Sequence, residues 1–134
     1  ISIRLVGSEM CIRDSIIDVV FELASDATLP EVQAALDAFA THPDAAGLPS
    51  APQKPMMRVE GPVDRERHLW ADGLSFPMGV DPATDLQAGM ATVVGDVSVD
   101  GPRHVRLRSL SHNTVRGAAG GLVLLAELAS TRWS

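Results

Sequence analysis

The side chains able to do chemistry in this 134-residue chain are few and scattered. Its single cysteine, Cys11, stands in the stretch LVGSEMCIRDS, Leu5 to Ser15. A nucleophilic thiol needs surroundings that favour the thiolate, such as a helix start or a paired histidine. Cys11 has neither beside it in sequence, and the carboxylate of Asp14 opposes ionisation. The four histidines, His42, His68, His104 and His112, are spread along the chain. No two of them stand at the i,i+4 spacing that puts paired ligands on one helix face, so no metal site is expected. His112 is the most informative, because a run of small residues follows it; it either caps and packs there or takes part in chemistry. His104, Arg106 and Arg108 fall on one face of a strand, where they could hold an anion or simply face water. Asp64, Glu66 and Asp72 share a charged stretch, and nothing in the sequence singles out any pair of them as an acid–base couple. There is no glycine-rich phosphate loop after a strand, no HExxH and no CxxC pair.

Composition narrows the classes further. With 46% hydrophobic and 21% charged residues the chain can build one packed domain. A net charge of −6 argues against nucleic acid as a partner, since phosphate recognition needs a basic surface. With two Trp, three Phe and no Tyr, no stacking platform for bases is visible. One cysteine cannot make an intramolecular disulfide framework, which suits a cytoplasmic protein. No apolar run is long enough to span a bilayer. The N-terminus lacks a continuous apolar core and carries Glu9, Arg13 and Asp14, unlike a signal peptide.

The elements that must position these residues follow from patterning. IIDVVFEL alternates Ile17, Val19, Phe21 and Leu23 against Ile16, Asp18, Val20 and Glu22, as a half-buried strand does. TLPE then reads as a capping box, with Thr28 as N-cap, Glu31 at N3 and Pro30 in the first turn. Leu29, Val32, Leu36 and Phe39 recur at helical spacing, and Pro43 and Gly47 end the helix. Residues 43–64 hold Pro43, Pro49, Pro52, Pro55 and Pro62, so that stretch is looped, with a short strand expected at Met56–Val59. DRERHLWADG is expected to be a charged loop ending in the Asp72-Gly73 turn. GMATVVGDVSV and HVRLRSLS predict a hairpin across Asp100-Gly101, lengthened by Pro102. At the end, Asn113 is the expected N-cap of a helix whose apolar stripe includes Val115, Leu122 and Leu125.

Gly117, Gly120 and Gly121 near that helix start are unusual, since each costs about 1 kcal/mol relative to alanine in a helix interior. Either another backbone packs closely there, or a ligand approaches the positively polarised helix start. The order of elements predicts an α+β fold: a mixed or antiparallel sheet with helices on one face, plus a C-terminal helix.

Two stretches carry a resemblance. GLPSAPQKPMMRVE, with Leu48–Pro52 followed by Lys54-Pro55, and SLSHNTVRGAAGGLVLLAELA, with His112–Thr114 and Arg116–Gly120, closely resemble the C-terminal half of aspartate-semialdehyde dehydrogenases of the archaeal and fungal-type branch. The helix LPEVQAALDAF matches in place and pattern, so the resemblance covers Ile16 to Ala129. It implies an enzyme in two parts. A Rossmann domain binds NADP and carries the thiol nucleophile, and an α+β domain supplies the acid/base histidine, the substrate arginine and the dimer surface. The reaction reduces an acyl phosphate, aspartyl phosphate, through a thioester to the aldehyde. The resemblance places Asn113 and Thr114 on the cofactor side and implies a cytoplasmic, homo-oligomeric biosynthetic oxidoreductase acting on a small molecule.

In that family a strand carrying the substrate arginine ends in Gly-His just before the segment matching IIDVVFEL. Here LVGSEMCIRDS takes that place, matches no part of the family, and resembles the translation of a sequencing adapter. Residues 1–15 are therefore expected to be non-native, with Leu5–Ser15 making few native contacts. Residues 16–110 are a partial catalytic and dimerisation domain, and 111–134 a helix that packs on the cofactor domain. On this view no catalytic residue lies in the chain, Cys11 included, and the isolated chain is inactive. The family usually has Pro-Gln-Pro-Arg-Leu-Asp where DRERHLWAD stands, and Val-Gly-Arg-Arg where Val94-Gly95-Asp96-Val97 stands. Those lost cations leave acyl-CoA (malonyl-CoA-type) reduction open, as well as a non-catalytic dimerisation module.

Overall fold

The computed structural model describes residues 2–10, 12–76, 79–81 and 83–133, the first of these segments by its backbone. Among the described residues five strands form one mixed sheet: β1 (Ser2–Met10), β2 (Asp14–Glu22), β3 (Met56–Arg58), β4 (Thr92–Asp100) and β5 (His104–His112). Their order is β1-β2-β5-β4-β3. Only β3 runs parallel to its neighbour β4; the other pairings are antiparallel. The mixed sheet and the C-terminal helix agree with expectation.

β2 and β5 pair without a break from Asp14↔His112 to Glu22↔His104. That register sends Ile16, Leu110, Val93 and Met57 to one face, where they pack with Leu69 and Ala71 from the 59–76 excursion. The opposite face receives α1 (Leu29–Ala38). Val32 is buried there, and Phe21, Leu36, Phe39 and Met56 line an apolar cleft of ≈ 270 Å³ beside it. The helix starts with Glu31 reaching back as in a capping box: its carboxylate accepts from Thr28 N–H at 2.7 Å, and it also accepts from the Thr28 hydroxyl at 2.8 Å. Arg58 grips Asp37 with two hydrogen bonds, at 3.0 and 2.9 Å, tying α1 to β3.

The 59–76 excursion departs from expectation at one place. Residues of DRERHLWADG form a short helix, α2 (Arg65–His68), with Asp64 accepting from Arg67 N–H at 2.8 Å. The turn after it is as expected: Asp72 Oδ1 accepts from Leu74 and Ser75 N–H, and Gly73 has φ 84°.

β1 also departs from expectation. Residues 2–10 pair antiparallel with β2 from Ser2↔Glu22 to Met10↔Ser15. Asp14 is buried and accepts from Arg65 Nε at 2.7 Å. Without β1, β2 would be a sheet edge with unpaired backbone groups, and backbone pairing asks little of the side chains that join it. Cys11 lies outside the described residues.

β4 bulges between Gly95 and Ser98, with Asp96 at φ 51°. The reason is the 59–63 segment, which crosses Gly95 so closely that a Cβ would lie 2.6 Å from the Gly61 carbonyl oxygen. Gly95→Ala should therefore destabilise the fold by roughly 1–3 kcal/mol, since neighbouring backbone must shift. Urea denaturation gives the number, and an unchanged midpoint would contradict the close approach.

Candidate functional site

The elements converge on a corner where β5 ends and the last helix begins. The helix opens with a π-turn, Val115–Ala119, closed by Ala119 N–H to Thr114 O at 2.8 Å, and continues as α3 (Gly120–Trp133). Asn113, the expected N-cap, does not cap it. β5 stays paired to the start of β2, so Asn113 N–H donates to Arg13 O at 2.9 Å. Its Oδ1 accepts from Ser15 Oγ at 2.9 Å. Long-range pairing has taken the groups that a cap would use. Thr114 stands at N-cap with no side-chain cap bond of its own.

The cap comes from His112. Its Nδ1 lies 3.2 Å from Val115 N and 3.1 Å from Thr114 Oγ1. The ring is buried, 4.3 Å from the Trp70 ring, and Gly89 fits against it. Burial, helped by the Arg13 cation, lowers its pKa from 6.5, with Asp14 opposing. Beside the corner a cleft of ≈ 220 Å³ is lined by Arg13, Arg65, Glu66, Leu69 and Trp70.

The glycines resolve into two groups. At Gly120 a Cβ would lie 2.4 Å from Met90 Sδ, and at Gly121 2.9 Å from Arg116 O. A buried side chain and the turn's own carbonyl thus account for both. Gly117 is different, because a Cβ there would meet nothing nearer than His112 O at 3.9 Å. Together with exposed Thr114, Ala118 and Ala119 it leaves an open, small-residue surface over the first turn.

The other candidates do not come together. His42 and His104 are exposed, one after α1 and the other at the start of β5. His68 is buried, accepts from Asp64 N–H at 3.0 Å and packs on Phe76. Among the described residues no three potential ligands gather as a metal site would need. Arg108 is held by Asp18 through bonds of 2.6 and 2.9 Å, which keep the Asp18 carboxyl below its ordinary range. Arg106 faces Asp100. The strand face therefore carries cross-strand ion pairs in place of an anion site.

One contact was not visible in the sequence. Glu127 of α3 accepts from Ser50 N–H at 3.0 Å and Ser50 Oγ at 2.9 Å. Ser50 is buried in the LPSAP turn, so the two stretches that carry the resemblance touch each other. Arg132 also pairs with Asp44. No residue of α3 is itself buried; Leu122 and Leu125 of the expected apolar stripe stand exposed, and so do Val123 and Trp133 outside it.

The two buried histidines set an acid limit. Burial lowers the pKa of both His68 and His112 from 6.5. A depressed folded-state value means the unfolded chain binds the proton first, so this stability is present above pH 6.5 and is lost as pH falls through the folded values. The urea midpoint should fall on acidification below pH 6.5. A midpoint that rises over that range would contradict the neutral, buried assignment.

The structure superposes on the crystal structure of aspartate semialdehyde dehydrogenase with NADP from Candida albicans at TM-score 0.61, covering 89% of this chain and 30% of that one at 23% identity. At that identity the likeness is one of fold.

The sequence relatives are more particular. Aspartate-semialdehyde dehydrogenases from Methanothermobacter thermautotrophicus and Archaeoglobus fulgidus are each 33% identical over 90% of the chain. The malonyl CoA reductase (NADP) of Metallosphaera sedula is 38% identical over 77%. The chain spans 33%, 32% and 26% of these relatives' lengths respectively. No family model matches the chain. The chain is thus homologous, over most of its length, to about a third of an aspartate-semialdehyde dehydrogenase. No helix is long and apolar enough to cross a membrane among the described residues.

Proposed function

We propose that this chain is the C-terminal part of an NADP-dependent aspartate-semialdehyde dehydrogenase, a biosynthetic enzyme that reductively dephosphorylates aspartyl phosphate to aspartate semialdehyde. The observation that supports it most is the Ser50–Glu127 contact, which joins the two motif stretches through one buried hydroxyl. The nucleophilic thiol, the dinucleotide loop and the acid/base histidine lie outside residues 16–133, and residues 1–15 are adapter-derived. The exposed stripe of α3 meets the cofactor domain, and the parent enzyme is a cytoplasmic homo-oligomer.

The residues present fit such a cofactor at one place. Gly117 with exposed Thr114, Ala118 and Ala119 leaves the helix start open to close approach. Asn113 and Thr114 would hold the cofactor there, with the Thr114 hydroxyl as the exposed polar group. Bound NADPH supplies the hydride. The chain's own part is to present that corner, held by the His112–Val115 bond, and to exclude water with the α3 stripe.

A second substrate has a specific observation in its favour. The malonyl CoA reductase relative shares 38% identity over 77% of the chain, and the resemblance implies that Asp96 stands where the dehydrogenases usually carry arginine. Joining residues 16–133 to the N-terminal two-thirds of an aspartate-semialdehyde dehydrogenase relative tests both. NADPH oxidation with aspartyl phosphate supports the main reading, and oxidation with malonyl-CoA alone supports the second. A folded, NADP-binding chimera that turns over neither contradicts the proposal. So does turnover by the isolated chain.

A further inference from the structure

We propose that His112 is a positioning residue: its neutral imidazole is the N-terminal cap of the last helix, and a proton on Nδ1 releases that helix's first turn. The geometry allows one working tautomer. Val115 N–H can only donate, so Nδ1 at 3.2 Å must be the acceptor and the ring proton sits on Nε2. Thr114 Oγ1 at 3.1 Å adapts to either role. Nε2 is buried without a partner among the described residues.

Protonation would point an N–H at the Val115 N–H and leave a cation at the positive end of the helix. The bond would be lost, and no other side chain replaces it, because Thr114 makes no cap bond and Asn113 is engaged with Ser15 and Arg13. The charged groups facing the ring act in opposite directions. Arg13 disfavours the proton, Asp14 favours it, and Arg65 from α2 is paired with Asp14. Around them the ring is enclosed by Trp70 and Gly89, which carry no charge.

The consequence is pH-dependent order at Thr114 and Val115. Its bearing on a bound dinucleotide rests on the cofactor reading of the Asn113–Thr114 corner; the cap itself does not.

The test is made on the full 134-residue chain, and its first part needs no variant. Ring nitrogen NMR of His112 at neutral pH should show an acceptor-type Nδ1 and a protonated Nε2. As the ring titrates below pH 6.5, protection of the Val115 amide should fall at least about tenfold after correction for intrinsic exchange. His112→Asn, whose Oδ1 stands near the Nδ1 position, should keep that protection and lose its pH dependence, while His112→Gln should lose it at every pH. A proton on Nδ1 at neutral pH, or Val115 protection unmoved through the titration, overturns the proposal. Failure of NADP to protect Asn113 and Thr114 in the chimera would overturn the cofactor reading and leave the cap standing.

Discussion

Glu127→Ala should detach the C-terminal helix from the domain while leaving the sheet folded. The carboxylate accepts both the N–H and the hydroxyl of Ser50, and Ser50 is 1% exposed. Truncation leaves two buried donors without an acceptor, each worth about 1–3 kcal/mol, so a loss of roughly 2–4 kcal/mol is expected. The rest of its hold is partial: none of its residues is fully buried, Leu124 and Leu128 are half-buried, Met90 lies against its start at Gly120, and Arg132–Asp44 is an exposed pair of small value. Native-state hydrogen exchange should show protection lost across 121–133 and retained in β5. Glu127→Gln, which keeps one acceptor oxygen, should lose less. If both variants exchange like the parent, the helix is anchored elsewhere.

Leu110→Ala should cost more, about 2–5 kcal/mol, and act on the whole domain. Leu110 is 1% exposed and sits in the ladder between Ile16 and Val93. No neighbour can move to fill the void, since its partners are themselves fixed in β2 and β4. It also lies two residues before His112, so the strand end that presents the corner should loosen with it. Ile17→Ala, on the other face and only half-buried, should cost less. Equal urea midpoints for the two variants would contradict the assignment of faces.

How much of this was legible in advance depends on the range of the interaction. The capping box at Thr28–Glu31, the alternation of β2 and the Asp100-Gly101 hairpin are local, and each stands where patterning put it. β1 was not legible because it is recruited through backbone groups, which every sequence has. α2 spans only Arg65–His68, less than two helical turns, so no apolar period can announce it. At the corner the local rule lost outright. Asn113 has the right residue type for a cap, but pairing with Arg13 and Ser15, far away in sequence, uses its groups first. His112 then caps through a ring nitrogen, a role whose only sequence signal was its place before the small residues. The Ser50–Glu127 bond spans 77 residues and no periodicity could reveal it. Resemblance named both stretches, and the structure supplied the reason they belong together.

The proposed function makes residues 16–133 one portion of a longer NADP-dependent enzyme. Sequencing the native gene through the codon for Ile16 tests it most directly. The account predicts a continuous upstream frame that encodes a glycine-rich dinucleotide loop and a cysteine nucleophile, and that ends in Gly-His where LVGSEMCIRDS now stands. Native, transcribed codons for Leu5–Ser15 joined to Ile16, with no such domain before them, would contradict it.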